Sequence, residues 1–137
     1  MTRVVADSNI LISAFLRGGK PLELLELARA GHIELAVSDA ILDETGRVLK
    51  IKFKVPDEDV QEFRQEPVGF AKYVSPTETV DAVPADDTDN RILECAIAGG
   101  SEMAVTGDAH LLSIGTFREI RIVSVAHFLG ELQGRGR

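Results

Sequence analysis

Short apolar runs alternate with segments of helical periodicity along the whole chain. Val4-Val5-Ala6 predicts a buried strand that ends at Asp7, and the apolar residues from Ile10 to Phe15 recur at helical spacing. Further strands are predicted over residues 33–37, 71–75, 103–106 and 120–123. Strands that alternate with helices in this way are typical of βαβ units, which build a parallel sheet.

Capping and stop signals delimit the other predicted helices. Pro21 fits the first turn of a helix that Gly31 ends, and Ser38 or Asp39 caps a helix over residues 41–50. A polar helix follows Pro56, another covers residues 88–98, and a short one contains residues 128–129. The pattern predicts a three-layer α/β/α fold, a single domain over residues 1–133, with residues 134–137 as a frayed tail.

Length and composition narrow the class of protein. The 137 residues suit one domain, and no apolar run approaches the roughly 18 residues that a membrane span needs. Because no signal-peptide pattern opens the chain, we expect a cytoplasmic protein without membrane contact. The lone Cys95 cannot form an internal disulfide or a cysteine-built zinc site, and the three histidines lack ligand spacing.

The net charge of −7 is unevenly distributed. Residues 1–56 carry eight basic and seven acidic side chains, whereas residues 57–108 carry three basic and thirteen acidic ones. An acidic protein does not attract nucleic acid through a general positive field. A nucleic-acid function therefore requires metal ions that neutralise the acids, or a basic partner chain.

Two aspartates follow apolar strands directly. Asp7 and Asp108 each come at the end of a predicted strand, and ligands of open parallel sheets bind beyond the carboxyl ends of the strands. If the first and fourth strands are neighbours, about 4.8 Å apart, both carboxylates can reach one cation. The alternative is that each aspartate only caps the helix that follows it.

Helical spacing selects two further acids. Glu44 shares a row with Ile41 and Val48, so its carboxylate borders the apolar face, although an edge residue with a solvated head would show the same pattern. Asp89 lies one turn before the apolar positions 92 and 93 of its helix. Asp87 is open to three interpretations: a cap, a ligand, or a group that supports a ligand.

Four converging acids predict a divalent-cation site. Like charges at close range raise each other's pKa values, so such a cluster is tolerable when a cation fills it. Oxygen ligands without histidine or cysteine select Mg²⁺ or Mn²⁺. Two such ions can clamp a phosphodiester, activate a water and stabilise the leaving oxygen, so that no nucleophilic side chain is required.

Four segments resemble the motifs of the PIN-domain family. Residues 5–14 (VADSNILISA) resemble its opening strand and helix, and residues 41–44 (ILDE) resemble its glutamate helix. Residues 86–96 (DDTDNRILECA) are similar to its third acidic motif, and residues 105–108 (VTGD), followed by Leu111-Leu112, to its fourth. The resemblance covers essentially the whole chain, and the order and separations of the motifs make it specific. The subgroup with the greatest similarity is the small prokaryotic VapC-like group of toxin components.

The resemblance implies a fold, an activity and a set of site residues. It implies a parallel sheet of order 3-2-1-4-5 with helices on both faces, and Mg²⁺- or Mn²⁺-dependent endonucleolytic cleavage of single-stranded RNA. By matching position, the metal ligands and catalytic acids would be Asp7, Glu44, Asp89 and Asp108. Supporting roles would fall to Ser8, a hydroxyl beside the first ligand, to Asn9, which stabilises the turn, and to Thr106, which orients the fourth acid.

Other features indicate how substrate and partners would bind. The candidate RNA contacts are Arg47, Lys50, Lys52 and Lys54, although a charged run is more often a solvated edge. Apolar surplus around Leu22, Leu25, Phe63 and Phe70 would suit a homodimer interface or a cognate antitoxin.

Two rival functions remain open at this point. The first is a catalytically silent RNA- or protein-binding module of the same fold. The second is a phosphate-handling receiver or phosphatase, which requires a lysine near the acidic strand ends. Because no lysine follows Lys72, the sequence disfavours this second rival.

Overall fold

The computed structural model describes residues 1–82 and 87–135, with only the backbone described at Asp87 and Arg135. The helices of this part are α1 (Ser8–Leu16), α2 (Gly19–Arg29), α3 (Asp39–Ile51), α4 (Asp57–Gln65), α5 (Asp87–Gly99), α6 (Ala109–Ile114) and α7 (Val125–Arg135). The strands are β1 (Thr2–Ala6), β2 (Ile33–Val37), β3 (Lys72–Tyr73), β4 (Met103–Val105), β5 (Thr116–Phe117) and β6 (Ile120–Val123). A 3₁₀ turn over Glu66–Gly69 follows α4.

The strands form one sheet in the order β3-β2-β1-β4-β6-β5. The five predicted strands correspond to β1–β4 and β6, so the predicted order 3-2-1-4-5 is confirmed for them. The prediction missed β5, which pairs antiparallel with β6 at the edge of an otherwise parallel sheet. Gly115, with φ 75°, precedes this two-residue strand, which is too short to show any periodicity.

The helix boundaries follow local signals with small departures from prediction. Ser38 is the N-cap of α3, as one of the two predicted candidates, and its hydroxyl accepts from the Ile41 N–H. The helix α7 extends to Arg135, past the predicted domain boundary at 133, while residues 136–137 lie outside the described part. Within residues 1–82 and 87–135, none of the helices combines the length and apolar character that crossing a bilayer requires.

The central strands position the site because they are buried on both faces. β1 and β4 carry fully buried apolar residues, and α5 packs across β1, β2 and β4. α2 contacts both α1 and α7, and these three helices form a second group, in accordance with the three predicted layers. Cys95 is buried, as expected of a small packed residue, and this burial raises the pKa of its thiol to about 12.

The predicted apolar surplus lines a hollow of about 250 Å³ beside α1, α2 and α4. Leu22, Leu25, Phe63 and Phe70 all contribute to its walls. Phe63 packs edge-on against Phe15, with the ring centroids 5.7 Å apart and an interplanar angle of 78°. The predicted homodimer stays a prediction.

A close approach of α5 to β2 yields a stability prediction. A Cβ atom at the buried Gly99 would lie 2.8 Å from the Ala36 Cβ, which has no flexible end that could move aside. We expect Gly99→Ala to lower the free energy of unfolding by about 1–3 kcal/mol, as overpacked cores do. Urea unfolding of purified variants measures the change.

Gly130→Ala is the matched control for this prediction. Gly130 is also helical, in α7, and nothing lies within 4 Å of the Cβ position there. The alanine at 130 should therefore stabilise by up to about 1 kcal/mol through helix propensity. Equal effects of the two substitutions would mean that α5 can move away from β2 at no cost.

Candidate active site

Strand register brings Asp7 and Thr106 side by side. Ala6 of β1 pairs with Val105 of β4, and the ladder continues one step further because the Asp7 N–H donates to the Val105 carbonyl at 3.0 Å. Each residue is then the first beyond its strand, at the carboxyl edge of the sheet. Both are buried, and the Thr106 hydroxyl donates a hydrogen bond to Asp7 Oδ2.

Asp108 joins this pair through the same hydroxyl. Its backbone N–H donates to Thr106 Oγ1 at 3.0 Å, so Thr106 links the two predicted acids. Asp108 is half-buried, and it is close enough to Asp7 for its charge to act on the pKa of that carboxyl. The structure thus brings Asp7, Thr106 and Asp108 together at the ends of neighbouring central strands.

Both aspartates also cap helices, as the alternative interpretation required. Asp7 Oδ1 accepts from the Ile10 N–H at 2.9 Å at the start of α1, and Asp108 Oδ1 accepts from the His110 N–H at 3.0 Å at the start of α6. A carboxylate has about four lone-pair positions, so one capping bond leaves acceptor capacity on each side chain. Capping and cation binding are therefore compatible.

Asp7 lies in an environment that disfavours its charge. Burial raises the pKa of the Asp7 carboxyl, and the neighbouring Asp108 carboxylate raises it further. Hydrogen bonds from Thr106 and from the backbone N–H groups of Ile10 and Asn9 lower it, but the net shift is upward from 3.8. An ionised Asp7 in this position is costly unless positive charge compensates it.

Glu44 lines a hollow together with the residues next to Asp7 and Asp89 in sequence. This hollow of about 220 Å³ lies between α1, α3 and α5, and Ser8, Glu44 and Thr88 all line it. Ser8 follows Asp7 and Thr88 precedes Asp89, so the segments that carry three of the predicted acids surround one space. The Glu44 carboxylate is engaged by Arg47, its i+3 neighbour.

Asp89 occupies the first turn of α5 with 5% of its surface exposed. Its helix face continues inward through buried apolar positions, as the sequence predicted. Asn90 and Glu94 anchor the preceding loop: Asn90 Oδ1 accepts from the Ala82 N–H at 3.0 Å, and Glu94 Oε2 accepts from the Val80 N–H at 2.8 Å. Asp87 begins α5, but its side chain is outside the described part, and so is Asp86.

The four acids do not all meet in the structure. Among the side chains described, no group of three or more histidine, cysteine, aspartate or glutamate residues is placed to hold a metal ion. Asp7 and Asp108 lie together, whereas Glu44 is held by Arg47. The metal site of four acids therefore stays a prediction, centred on Asp7 and Asp108.

Two polar residues of α5 that line the hollow were absent from the predicted site. Thr88 and Arg91 both line it, one helical turn apart on α5. Arg91 Nε pairs with Glu94 Oε1 at 2.8 Å, which places its guanidinium group beside the anchored loop. The i, i+3 spacing from Thr88 was a signal that these side chains share a face.

The candidate RNA contacts differ in whether an acidic neighbour compensates their positive charge. Arg47 pairs with Glu44, and Lys50 Nζ lies 3.1 Å from Asp57 Oδ1. Lys52 and Lys54 form no ion pair within residues 1–82 and 87–135. The positive charge of the latter two is therefore uncompensated by any described neighbour.

The α/β fold and the paired carboxylates at the ends of its central strands are compatible with a nuclease-type domain. The sequence profile of the PIN domain matches residues 3–110, which is most of the chain. The chain therefore belongs to the PIN domain family, as the four motifs predicted. No curated protein matches it in sequence.

Solved structures share the fold at low sequence identity. PAE2754 from Pyrobaculum aerophilum superposes with a TM-score of 0.62 at 15% identity, covering 97% of this chain and 96% of that one. VapBC2 from Rickettsia felis, bound to a DNA fragment from its promoter, superposes with a TM-score of 0.62 at 18% identity. The match covers 88% of this chain and 97% of that one. The RRP44 PIN domain of T. brucei superposes with a TM-score of 0.54 at 12% identity, and the match covers 98% of this chain and 83% of that one.

Proposed function

We propose that this protein is a divalent-metal-dependent endoribonuclease that hydrolyses single-stranded RNA. The observation that carries the proposal is the pair of Asp7 and Asp108, joined by the Thr106 hydroxyl at the carboxyl edge of β1 and β4. This edge is where open parallel sheets bind their ligands. Membership of a nuclease-type family supplies the reaction class.

The donor set fits Mg²⁺, with Mn²⁺ as its substitute. The candidate ligands are carboxylate oxygens only, which hard cations prefer. Asp7 is 2% exposed and lies near a second carboxylate, so a cation would offset both its desolvation and its repulsion from Asp108. Asp7 and Asp108 would hold the ion, with Glu44 and Asp89 completing the set. When bound, the ion supplies the Lewis acidity that this hydrolysis requires.

The chain's own groups would orient the acids and the substrate. Thr106 fixes the rotamer of Asp7 and the backbone of Asp108, and the capping bonds to α1 and α6 fix the other carboxylate oxygens. Arg47 holds Glu44 beside the hollow. Arg47 engages Glu44 Oε2, so the carboxylate retains acceptor capacity for a cation, as the two capping aspartates do.

We further propose that the protein is the toxin of a type II toxin–antitoxin pair and acts in the cytoplasm. The fold similarity to VapBC2 and the apolar hollow beside α1, α2 and α4 support this assignment. An antitoxin or a second copy of the chain would cover Leu22, Leu25 and Phe70, which are only half-buried. A basic antitoxin would also offset the net charge of −7.

A catalytically silent binding module is the second candidate function. Two observations favour it: both aspartates of the pair are already used as helix caps, and Glu44 is neutralised by Arg47. In such a module the acids would hold a structural cation or none, and RNA or protein would bind without cleavage.

A nuclease assay separates these two candidates. We expect the purified protein to cleave single-stranded RNA with Mg²⁺ or Mn²⁺ and to lose all cleavage in excess EDTA. Glu44→Gln should slow cleavage at least about tenfold, which corresponds to ~1.4 kcal/mol in the barrier. Glu62→Gln, an exposed acid on α4, is the matched control and should cleave like the wild type.

The outcome against the proposal is equally definite. If wild type and Glu44→Gln cleave equally, and EDTA does not change the rate, then the cleavage comes from another protein in the preparation. Binding of the same RNA without cleavage in any metal would support the silent module instead.

A further inference from the structure

A polar crevice of about 180 Å³ lies between α1 and α3, outside the hollow that Glu44 lines. Its walls include Asn9 and Ser13 of α1, the cations Arg17 and Lys52, and the ring of Phe53. Cations and an aromatic ring in one narrow space are the two elements of a single-stranded nucleic-acid site. Of these residues, Asn9 was predicted to stabilise the turn and Lys52 to contact RNA, whereas Ser13, Arg17 and Phe53 have no role in the catalytic proposal.

The two cations of the crevice retain their charge. Neither Arg17 nor Lys52 lies within 4.0 Å of an acidic group in the described ranges, unlike Arg47 and Lys50 of α3. Both are exposed. In a chain of net charge −7, this crevice is therefore a local positive site that an incoming phosphate can use.

Phe53 is presented by a fixed turn. The turn is closed by hydrogen bonds from Lys52 N–H to the Val48 carbonyl at 2.9 Å and from Val55 N–H to the Leu49 carbonyl at 3.0 Å. The Phe53 ring keeps 38% of its surface exposed, and Lys52 Nζ lies 5.5 Å from the ring centroid. An exposed ring on a rigid turn beside a cation is pre-organised for stacking with a base.

The crevice follows α1, the helix that Asp7 caps. Asn9, on its wall, is two residues from Asp7 in the first turn of α1. From Asn9 to Arg17 the crevice follows α1 for eight residues, about 12 Å at the helical rise. Asp7 and the crevice thus share one helix, with Asp7 as its N-cap and Arg17 as its C-cap.

We propose that this crevice binds one unpaired base and the adjoining phosphate of the RNA strand. Phe53 stacks on the base, and Arg17 and Lys52 contact the phosphate. The inference rests on the proposed ribonuclease function for its substrate class. It explains selection of single strands, because a base held in a duplex cannot stack on Phe53.

A tryptophan probe tests the stacking directly, since the chain contains no tryptophan. Phe53→Trp, made with Asp7→Asn so that the RNA stays intact, should lose fluorescence when hairpin-free single-stranded RNA is added. The same strand annealed to its complement should leave the signal unchanged. Phe117→Trp is the matched control: Arg118 lies 5.2 Å from that ring centroid, but β5 is the far edge strand and Glu78 neutralises Arg118.

Affinity and salt dependence give an independent measurement. Phe53→Ala should weaken RNA binding at least about fivefold, the lower bound for one stacked base, and Phe53→Leu should not restore it, because leucine lacks a π face. Lys52→Gln should reduce the slope of log K against log salt by about 0.7, the value for one phosphate contact on a single strand. Thermal unfolding of each variant verifies that it is folded.

The results distinguish this inference from the proposed function. Cleavage by the wild type together with an unquenched Phe53→Trp would overturn the crevice and leave the ribonuclease intact. Equal quenching at positions 53 and 117 would also overturn it, as would a change in oligomeric state of Phe53→Ala with unaltered RNA affinity. Selective quenching at position 53 without wild-type cleavage would support the crevice while removing the nuclease.

Discussion

Asp7→Asn should abolish most cleavage and, at neutral pH without divalent metal, raise the free energy of unfolding. The activity loss should be about 10²–10⁴-fold, the several kcal/mol that charge stabilisation by a bound ion contributes. The stability gain follows from burial, which raises the pKa of the Asp7 carboxyl and makes its ionised form unfavourable in the folded state. Asparagine keeps an oxygen for the Ile10 N–H and carries no charge.

The upward shift of the Asp7 pKa determines how the free energy of unfolding changes with pH. Because the pKa of Asp7 is raised on folding, its contribution to stability is fully present below 3.8 and is lost as the pH rises through the raised value. The stability advantage of Asp7→Asn should therefore be large at neutral pH and vanish in acid. Urea unfolding over a pH series in EDTA measures it.

Mg²⁺ should reverse the order of stability, so that the wild type becomes more stable than Asp7→Asn. An ion that binds only the folded wild type stabilises it by mass action, whereas the variant has lost a ligand. Asp59→Asn, which neutralises an exposed acid of α4, is the control and should show neither effect. If Asp7→Asn is less stable than the wild type in EDTA at neutral pH, ionised Asp7 is not a cost to the fold. If Mg²⁺ stabilises both proteins equally, Asp7 is not at the ion site.

The fold was predictable because its strands and helices have clear periodicity and clear end signals. The buried run before Asp7 and the cap at Ser38 are examples in which local sequence and tertiary structure agree. β3, predicted over residues 71–75, shrinks to Lys72–Tyr73 because only Ala36 and Val37 of β2 pair with it. The hairpin strand β5 depends on the turn at Gly115 and on pairing with β6, which no local pattern shows.

The site was predictable only in part, for a different reason. Strand topology places Asp7 and Asp108 together, and topology follows from the alternation of strands and helices. The direction of a surface side chain depends on competing partners, so the pairing of Glu44 with its neighbour Arg47 was not predicted. The crevice at Phe53 depends on a turn at Lys54, whose φ of 55° is uncommon for a residue with a side chain.

Thr106→Val should impair both stability and metal dependence, although the two side chains have nearly the same shape. Thr106 is fully buried, and its hydroxyl donates to Asp7 and accepts from the Asp108 N–H. Valine leaves a buried carboxylate and a backbone donor without these bonds, which should cost about 1–3 kcal/mol of unfolding free energy. Because the hydroxyl orients both proposed ligands, metal affinity should fall about 10–100-fold.

Thr106→Ser provides the matched control, since it keeps the hydroxyl and removes only a methyl group. Its stability should fall by about 0.8 kcal/mol, the contribution of one buried carbon, while the Mg²⁺ concentration for half-maximal cleavage stays near the wild-type value. Valine should raise that concentration and serine should restore it. If the two variants need the same Mg²⁺ concentration, then Thr106 supports only the fold, and the link between Asp7 and Asp108 has no part in binding the ion.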